Sequence, residues 1–189
     1  MLFSKIFAAG AVMAASAMAA LTPSQIADSL KTITVQSQNI QVQAQSITIV
    51  NAPLIVIGQG PFPKIIAGFS QIVTTATVSI NSWDGTAPIT TDADAQLVFS
   101  AFRTFVRVHQ ELLNILIGKA GILEQLPFVG PPVAAILRQI ESVVDTIAID
   151  LINTVQVITT SKDIESDANS LGGTLDVCIQ KYSGLGSGI

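Results

Sequence analysis

The chain has 189 residues, 49% hydrophobic and only 12% charged, with a formal net charge of −4 from 9 Lys and Arg against 13 Asp and Glu. So sparse and acidic a charge set argues against nucleic acid as a partner, because gripping phosphates takes clustered Lys and Arg that displace counterions. One cysteine, Cys178, rules out a disulfide framework, and with His109 as the only histidine it also rules out a Cys/His metal cluster.

Residues 1–19 read as a secretory signal peptide: Lys5 is the one early charge, an apolar run spans Ile6 to Met13, and Ala17-Met18-Ala19 supplies the small-residue cleavage site. The mature protein is then expected to start at Ala20 or Leu21, and losing Lys5 takes the net charge from −4 to −5. No later stretch reaches the roughly 18 uninterrupted apolar residues of a membrane helix, so the expected product is soluble and extracellular. About 170 residues suffice for one domain with a real core, placed at 20–183 and followed by a Gly/Ser-rich tail at 184–189. No Asn-x-Ser/Thr site occurs, so any attached sugar would sit on Ser or Thr.

Thr22-Pro23-Ser24-Gln25 offers a cap, a proline at the first helical position and a Gln three residues after the cap. From there Ile26, Leu30, Ile33, Ser37, Ile40, Ala44 and Ile47 alternate spacings of four and three, the seam of an amphipathic helix predicted to run to Val50. Asn51 to Pro63 breaks the pattern with Pro53, Gly58, Gly60 and Pro61, yet carries Leu54, Ile55, Val56, Ile57 and Phe62: a loop with an apolar skin. A second helix is predicted over Lys64 to Ser82, with Ile65, Phe69, Ile72, Val73, Ala76 and Ile80 on one side.

After Trp83-Asp84-Gly85 and a polar link, Thr91 with Asp94 starts a third helix whose seam is Ala95, Val98, Phe102, Phe105, His109, Leu112 and Leu116, widened by Phe99, Val106 and Leu113. It is expected to stop near Gly118 to Gly121. A broken apolar link, Leu126 to Pro132, precedes a fourth helix marked by Val133, Ile136, Leu137, Ile140, Val143, Val144, Ile147, Leu151, Val155 and Ile158. Ile164, Ala168, Leu171, Leu175, Cys178 and Tyr182 continue that spacing, with Gly172-Gly173 the expected break into a fifth element. The fold predicted is all-α, an antiparallel bundle of four to five amphipathic helices. Alternating directions put the two apolar links at one end, giving either a greasy end or a lid over the core.

Chemistry is scarce. A Ser-His-Asp arrangement would have to be built on His109, and no nucleophile elbow is present. A histidine on a Phe-lined stripe reads as a hydrogen-bonded core residue, or as a polar anchor inside an apolar pocket that meets a ligand carboxylate. Asp92 and Asp94, like Asp163, Glu165 and Asp167, fit dipole-compensating positions near helix starts better than a glycosidase pair, given one Trp and one Tyr for sugar platforms. Arg103 and Arg107 are expected to face solvent, with Glu111 as a pairing partner. No catalytic residues, metal ligands or cofactor are assigned, and the chain reads as a non-enzyme. Cys178 is either buried or pairs two chains.

Several short motifs give a resemblance: the leader followed by the Ile26-Leu30-Ile33 helix, the run Ile80-Asn81-Ser82-Trp83-Asp84-Gly85 closing a helix, Leu112 to Lys119 (LLNILIGK), and a final segment ending at Tyr182. With these the sequence resembles the fungal hydrophobic surface binding proteins and the related cell wall galactomannoproteins. The resemblance implies a helical bundle in the wall or medium that adsorbs to hydrophobic surfaces or, in some relatives, holds a fatty acid among its helices. No Ser/Thr-rich stalk or apolar tail follows Tyr182, so a GPI anchor is not expected.

Two functions are carried forward. The first is a secreted wall or surface protein that binds hydrophobic surfaces, with cell-wall polysaccharide as a further partner, through Leu54, Ile55, Val56, Ile57, Phe62, Phe128 and Val129. The second is an extracellular fatty acid carrier whose cavity lies between helices and is lined by Phe69, Phe102, Phe105 and Ile140, with His109 as anchor.

Overall fold

The structure, a computed structural model, describes residues 21–124, 126 and 129–185. The signal peptide expected at 1–19, Phe128, and residues 186–189 of the expected tail lie outside the described residues.

Local chemistry starts the first and third helices where the sequence places them, while the second and fourth begin three residues earlier than expected, at Pro61 and Gly130. Helix α1 (Pro23–Gln45) begins with a complete capping box: Thr22 Oγ1 accepts from the Gln25 amide at 3.3 Å, and Gln25 Oε1 accepts from the Thr22 amide at 2.8 Å. It stops five residues before Val50. The Asn51 side chain folds back, accepting from the Thr48 amide at 2.8 Å and donating to the Ser46 carbonyl at 2.7 Å. That local bonding, added to the β-branched run from Ile47 to Val50, outcompetes another helical turn. Lys119 Nζ donates to the Ile47 carbonyl at 2.8 Å.

A short 3₁₀ turn, Ala52–Ile57, follows and is ended by Gly58, whose φ of 71° favours glycine. Helix α2 (Pro61–Trp83) comes next, then α3 (Asp92–Leu123), capped by Thr91, whose Oγ1 accepts from the Asp94 amide at 3.2 Å. Helix α3 runs through Gly118 and Gly121, where a stop was expected, because Leu116, Ala120 and Leu123 keep its apolar stripe against the core. Helices α4 (Gly130–Thr154) and α5 (Ile158–Ser183) complete the fold. Their boundary corrects the expected one: the chain breaks at 155–157, and α5 passes through Gly172-Gly173 without interruption. The break is fixed by pairing between the two lower links, where the Ile89 amide donates to the Thr154 carbonyl at 2.8 Å and the Gln156 amide to the Ile89 carbonyl at 2.9 Å.

Consecutive helices run antiparallel, but spatial neighbours sort into two layers. Helix α1 packs on α2 and α3, α3 also on α5, α5 on α4, and α4 on α2, closing a five-membered ring. Side-chain bonds show α3 parallel to both its flanking helices: Ser37 meets His109 on the α1 side, while Gln96 meets Thr160 and Arg103 meets Asp167 on the α5 side. One layer is therefore α1, α3 and α5, with α3 central. The other is α2 and α4, running the opposite way. With axes about 10 Å apart, five helices in a ring enclose a wider centre than four.

The predicted seams fill that centre. All seven α1 seam positions are buried, as are all seven of α3 and the widening Phe99, Val106 and Leu113. Each fully buried Ile, Leu or Phe side chain contributes about 1.5–3 kcal/mol relative to exposure. Tyr182, fully buried at the end of α5, donates to the Leu116 carbonyl at 3.0 Å and ties α5 to α3.

Candidate functional site

Three helices bring one polar pair into the middle of this core. Helix α3 carries Phe102, Phe105 and His109 on its buried stripe, α2 contributes Phe69 from the opposite layer, and α1 contributes Ser37. The His109 ring lies 5.3 Å from Phe105 and 6.2 Å from Phe69, centroid to centroid, and Phe102 lies 6.2 Å from Phe105. Thus Phe69, Phe102, Phe105 and His109 converge as the sequence predicts. Ile140 is fully buried on α4, in the layer facing α3.

His109 is fully buried, and burial pushes its imidazole down to about 4, so it stays neutral at ordinary pH. Its Nδ1 lies 2.9 Å from Ser37 Oγ, while its Nε2 has no hydrogen-bond partner. Ser37 has one hydroxyl proton and two takers, His109 Nδ1 and the Ile33 carbonyl at 3.2 Å. When that proton goes to the carbonyl, Nδ1–H donates to Oγ and Nε2 presents a bare lone pair to its aromatic surroundings. Leaving such an atom unpaired in an apolar core costs about 1–3 kcal/mol, so the arrangement is not one that stability alone would choose. The signal for Ser37 in the sequence is a serine interrupting an Ile/Leu seam.

The surface-binding set divides. Val56 and Ile57 are 74% and 65% exposed and Leu54 is 39% exposed, so the 3₁₀ turn does carry an apolar skin. Ile49 and Val50, assigned by sequence to the first helix, join it at 79% and 88% exposed because α1 stops short. Ile55 instead packs partly against the core. Phe62 and Val129 are buried, at 1% and 3%, and so do not face a surface: the turn into α2 and the start of α4 fold their larger apolar groups inward.

The remaining candidates resolve as structural. Cys178 is buried and lies 4.0 Å from the Leu113 carbonyl, with its thiol pushed up to about 12 by burial, which leaves it unable to pair two folded chains. Arg103, expected to face solvent, instead forks onto Asp167 of α5 at 2.8 and 3.4 Å and lies 4.2 Å over the Phe99 ring. Because α5 starts at Ile158, Asp163 to Asp167 lie inside the helix and not at its cap. Among the described residues no group of His, Cys, Asp and Glu is arranged to hold a metal, and no helix is long and apolar enough to cross a membrane.

No protein-family model matches the sequence, and no curated protein does either. The fold, however, has solved counterparts. Aspergillus Afmp4p, solved in complex with palmitic acid, superposes with a TM-score of 0.74 at 16% identity, covering 85% of this chain and 99% of that one. Ligand binding domain 2 of Penicillium marneffei MP1, in complex with arachidonic acids, gives 0.72 at 15% identity over 87% and 94% of the two chains. Domain 1 of the same protein, also with arachidonic acids, gives 0.70 at 14% identity over 82% and 94%. This chain is folded like those fungal ligand-binding domains. At these identities the likeness is one of fold, and it agrees with the helical bundle that the resemblance carried by the sequence motifs implies.

Proposed function

We propose that this chain is a secreted, non-enzymatic fungal wall or extracellular protein that carries a fatty acid between its two helix layers, the alternative reading of the sequence. The observation that carries the reading is the unpartnered His109 Nε2 inside the Phe69, Phe102 and Phe105 cluster. The solved domains that share the fold hold palmitic and arachidonic acids, which supports the same ligand class here. An acyl chain would lie among Phe69, Phe102, Phe105 and Ile140, between the two layers. A carboxylic acid head donating its O–H to Nε2 would satisfy the atom that the protein leaves bare.

Palmitate titration followed by thermal melting tests this. Binding is expected to raise the melting temperature, with Phe105→Trp, which fills the cluster with a larger ring, weakening the effect at least tenfold in palmitate concentration. An unchanged melting temperature at saturating palmitate contradicts the reading.

Exposure of Ile49, Val50, Val56 and Ile57 favours a second, compatible reading, adsorption to hydrophobic surfaces at that end of the bundle. The double variant Val56→Asp/Ile57→Asp is expected to lose adsorption to polystyrene or lipid monolayers while keeping its far-UV circular dichroism. Retained adsorption would remove this reading and leave the carrier intact.

A further inference from the structure

At the end of the bundle opposite the 3₁₀ turn, α2 and α4 run parallel and finish side by side. Their last turns enclose a hollow of about 400 Å³ lined by Asn81, Trp83, Asp84, Thr86, Asp150 and Asn153, among others. Its size falls within the roughly 300–1,000 Å³ of small-molecule clefts. Trp83 is 6% exposed, and its indole Nε1–H has no hydrogen-bond partner; the Thr86 hydroxyl is likewise buried without one. Buried polar groups are nearly always paired, so two orphans among the residues lining one hollow point to partners from outside the chain.

The rest of the lining narrows the ligand. Asp84 and Asp150 bring two carboxylates to the hollow, and Asp150's carboxyl lies above its ordinary range through burial and then through the Asp84 charge. Neither takes part in an ion pair among the described residues. Two carboxylates at two helix C-termini repel an anion. A bare cation would leave the indole N–H, a donor only, without a partner. An apolar ligand would leave every one of these groups unsatisfied. A hydroxyl both donates and accepts, so several on one neutral molecule match N–H, carboxylates, amides and the Thr86 hydroxyl together.

We propose that this hollow is a binding site for a neutral polyhydroxylated ligand, a sugar residue, with Trp83 and Thr86 donating to it and Asp84, Asp150 and the two asparagines fixing its hydroxyls. It is separate from the fatty acid site and does not depend on it.

Trp83 is the only tryptophan in the chain, so its single indole N–H signal in a ¹⁵N-labelled sample reports on this site alone. The intact secreted protein is titrated with D-mannose, D-galactose and D-glucose, with linear oligosaccharides of each, and separately with Ca²⁺. The expected result is a saturable shift of the indole signal with at least one sugar, weakened tenfold or more in Asp150→Ala, whose far-UV circular dichroism matches the parent. Tighter binding of an oligosaccharide identifies a polysaccharide as the source, and equal binding identifies a free sugar. No shift with any sugar, a response to Ca²⁺ alone, or a titration of Asp150→Ala and Asp84→Ala unchanged from that of the parent overturns the proposal.

Discussion

His109 holds a ring that resists protonation, because a charged imidazolium in this apolar core would have nothing to accept from its Nε2–H. Its folded value near 4 lies below the ordinary 6.5, so between those values the unfolded chain takes up a proton that the folded chain refuses. The sign follows: this histidine's contribution is neutral above about pH 6.5 and destabilising below it, reaching on the order of 3 kcal/mol near pH 4. Denaturant midpoints of the parent and of Ser37→Ala/His109→Leu, compared at pH 7 and pH 4.5, check it. The variant is expected to be more stable at both values, with a margin that widens at the lower one, and to bind palmitate at least tenfold more weakly. A merely structural histidine would leave palmitate affinity unmoved. The sequence made the Phe69, Phe105 and His109 convergence legible, since heptad spacing put them on facing stripes. It did not reveal Ser37 as the partner, because that depends on the relative rotation and register of α1 and α3.

Helix starts were legible at the scale of elements wherever side chain and backbone act within one turn, as at Thr22 and Thr91. Helix ends were not. The stop of α1 at Gln45 depends on Asn51 reaching back, and the α4/α5 break depends on Ile89, more than sixty residues earlier, pairing across the lower links. Glycine was misread for a related reason. Gly172 and Gly173 have open space where a Cβ would stand and sit unbroken in α5, whereas a Cβ on Gly130 would run into the carbonyl oxygens of Tyr182 and Leu185. Hence Gly172→Ala is expected to stabilise by about 0.5–1 kcal/mol through helix propensity. Gly130→Ala should destabilise by about 1–3 kcal/mol by forcing α4 away from the end of α5. Thermal or chemical unfolding of the two variants decides it, and equal effects would mean that α4 and α5 are not packed this closely.

Across the whole molecule, the five helices assign different work to the centre and to the two ends. The centre, between a three-helix and a two-helix layer, holds one bare polar atom among aromatic rings. One end carries the exposed apolar turn around Val56, and the other the polar hollow around Trp83. Sequence periodicity foretold the bundle but not its layering, because helices in chain order alternate direction whichever neighbours they choose. The central claim is that the core takes a fatty acid. It is tested most directly by native mass spectrometry of the protein secreted from its own host, before and after organic extraction, with palmitate added back to the extracted protein. An acyl adduct near one per chain that disappears on extraction is expected. Palmitate should then restore it, with a stability gain of about 2.7 kcal/mol at a hundredfold excess over Kd. A clean polypeptide mass throughout, with no adduct and no gain from palmitate, would contradict it.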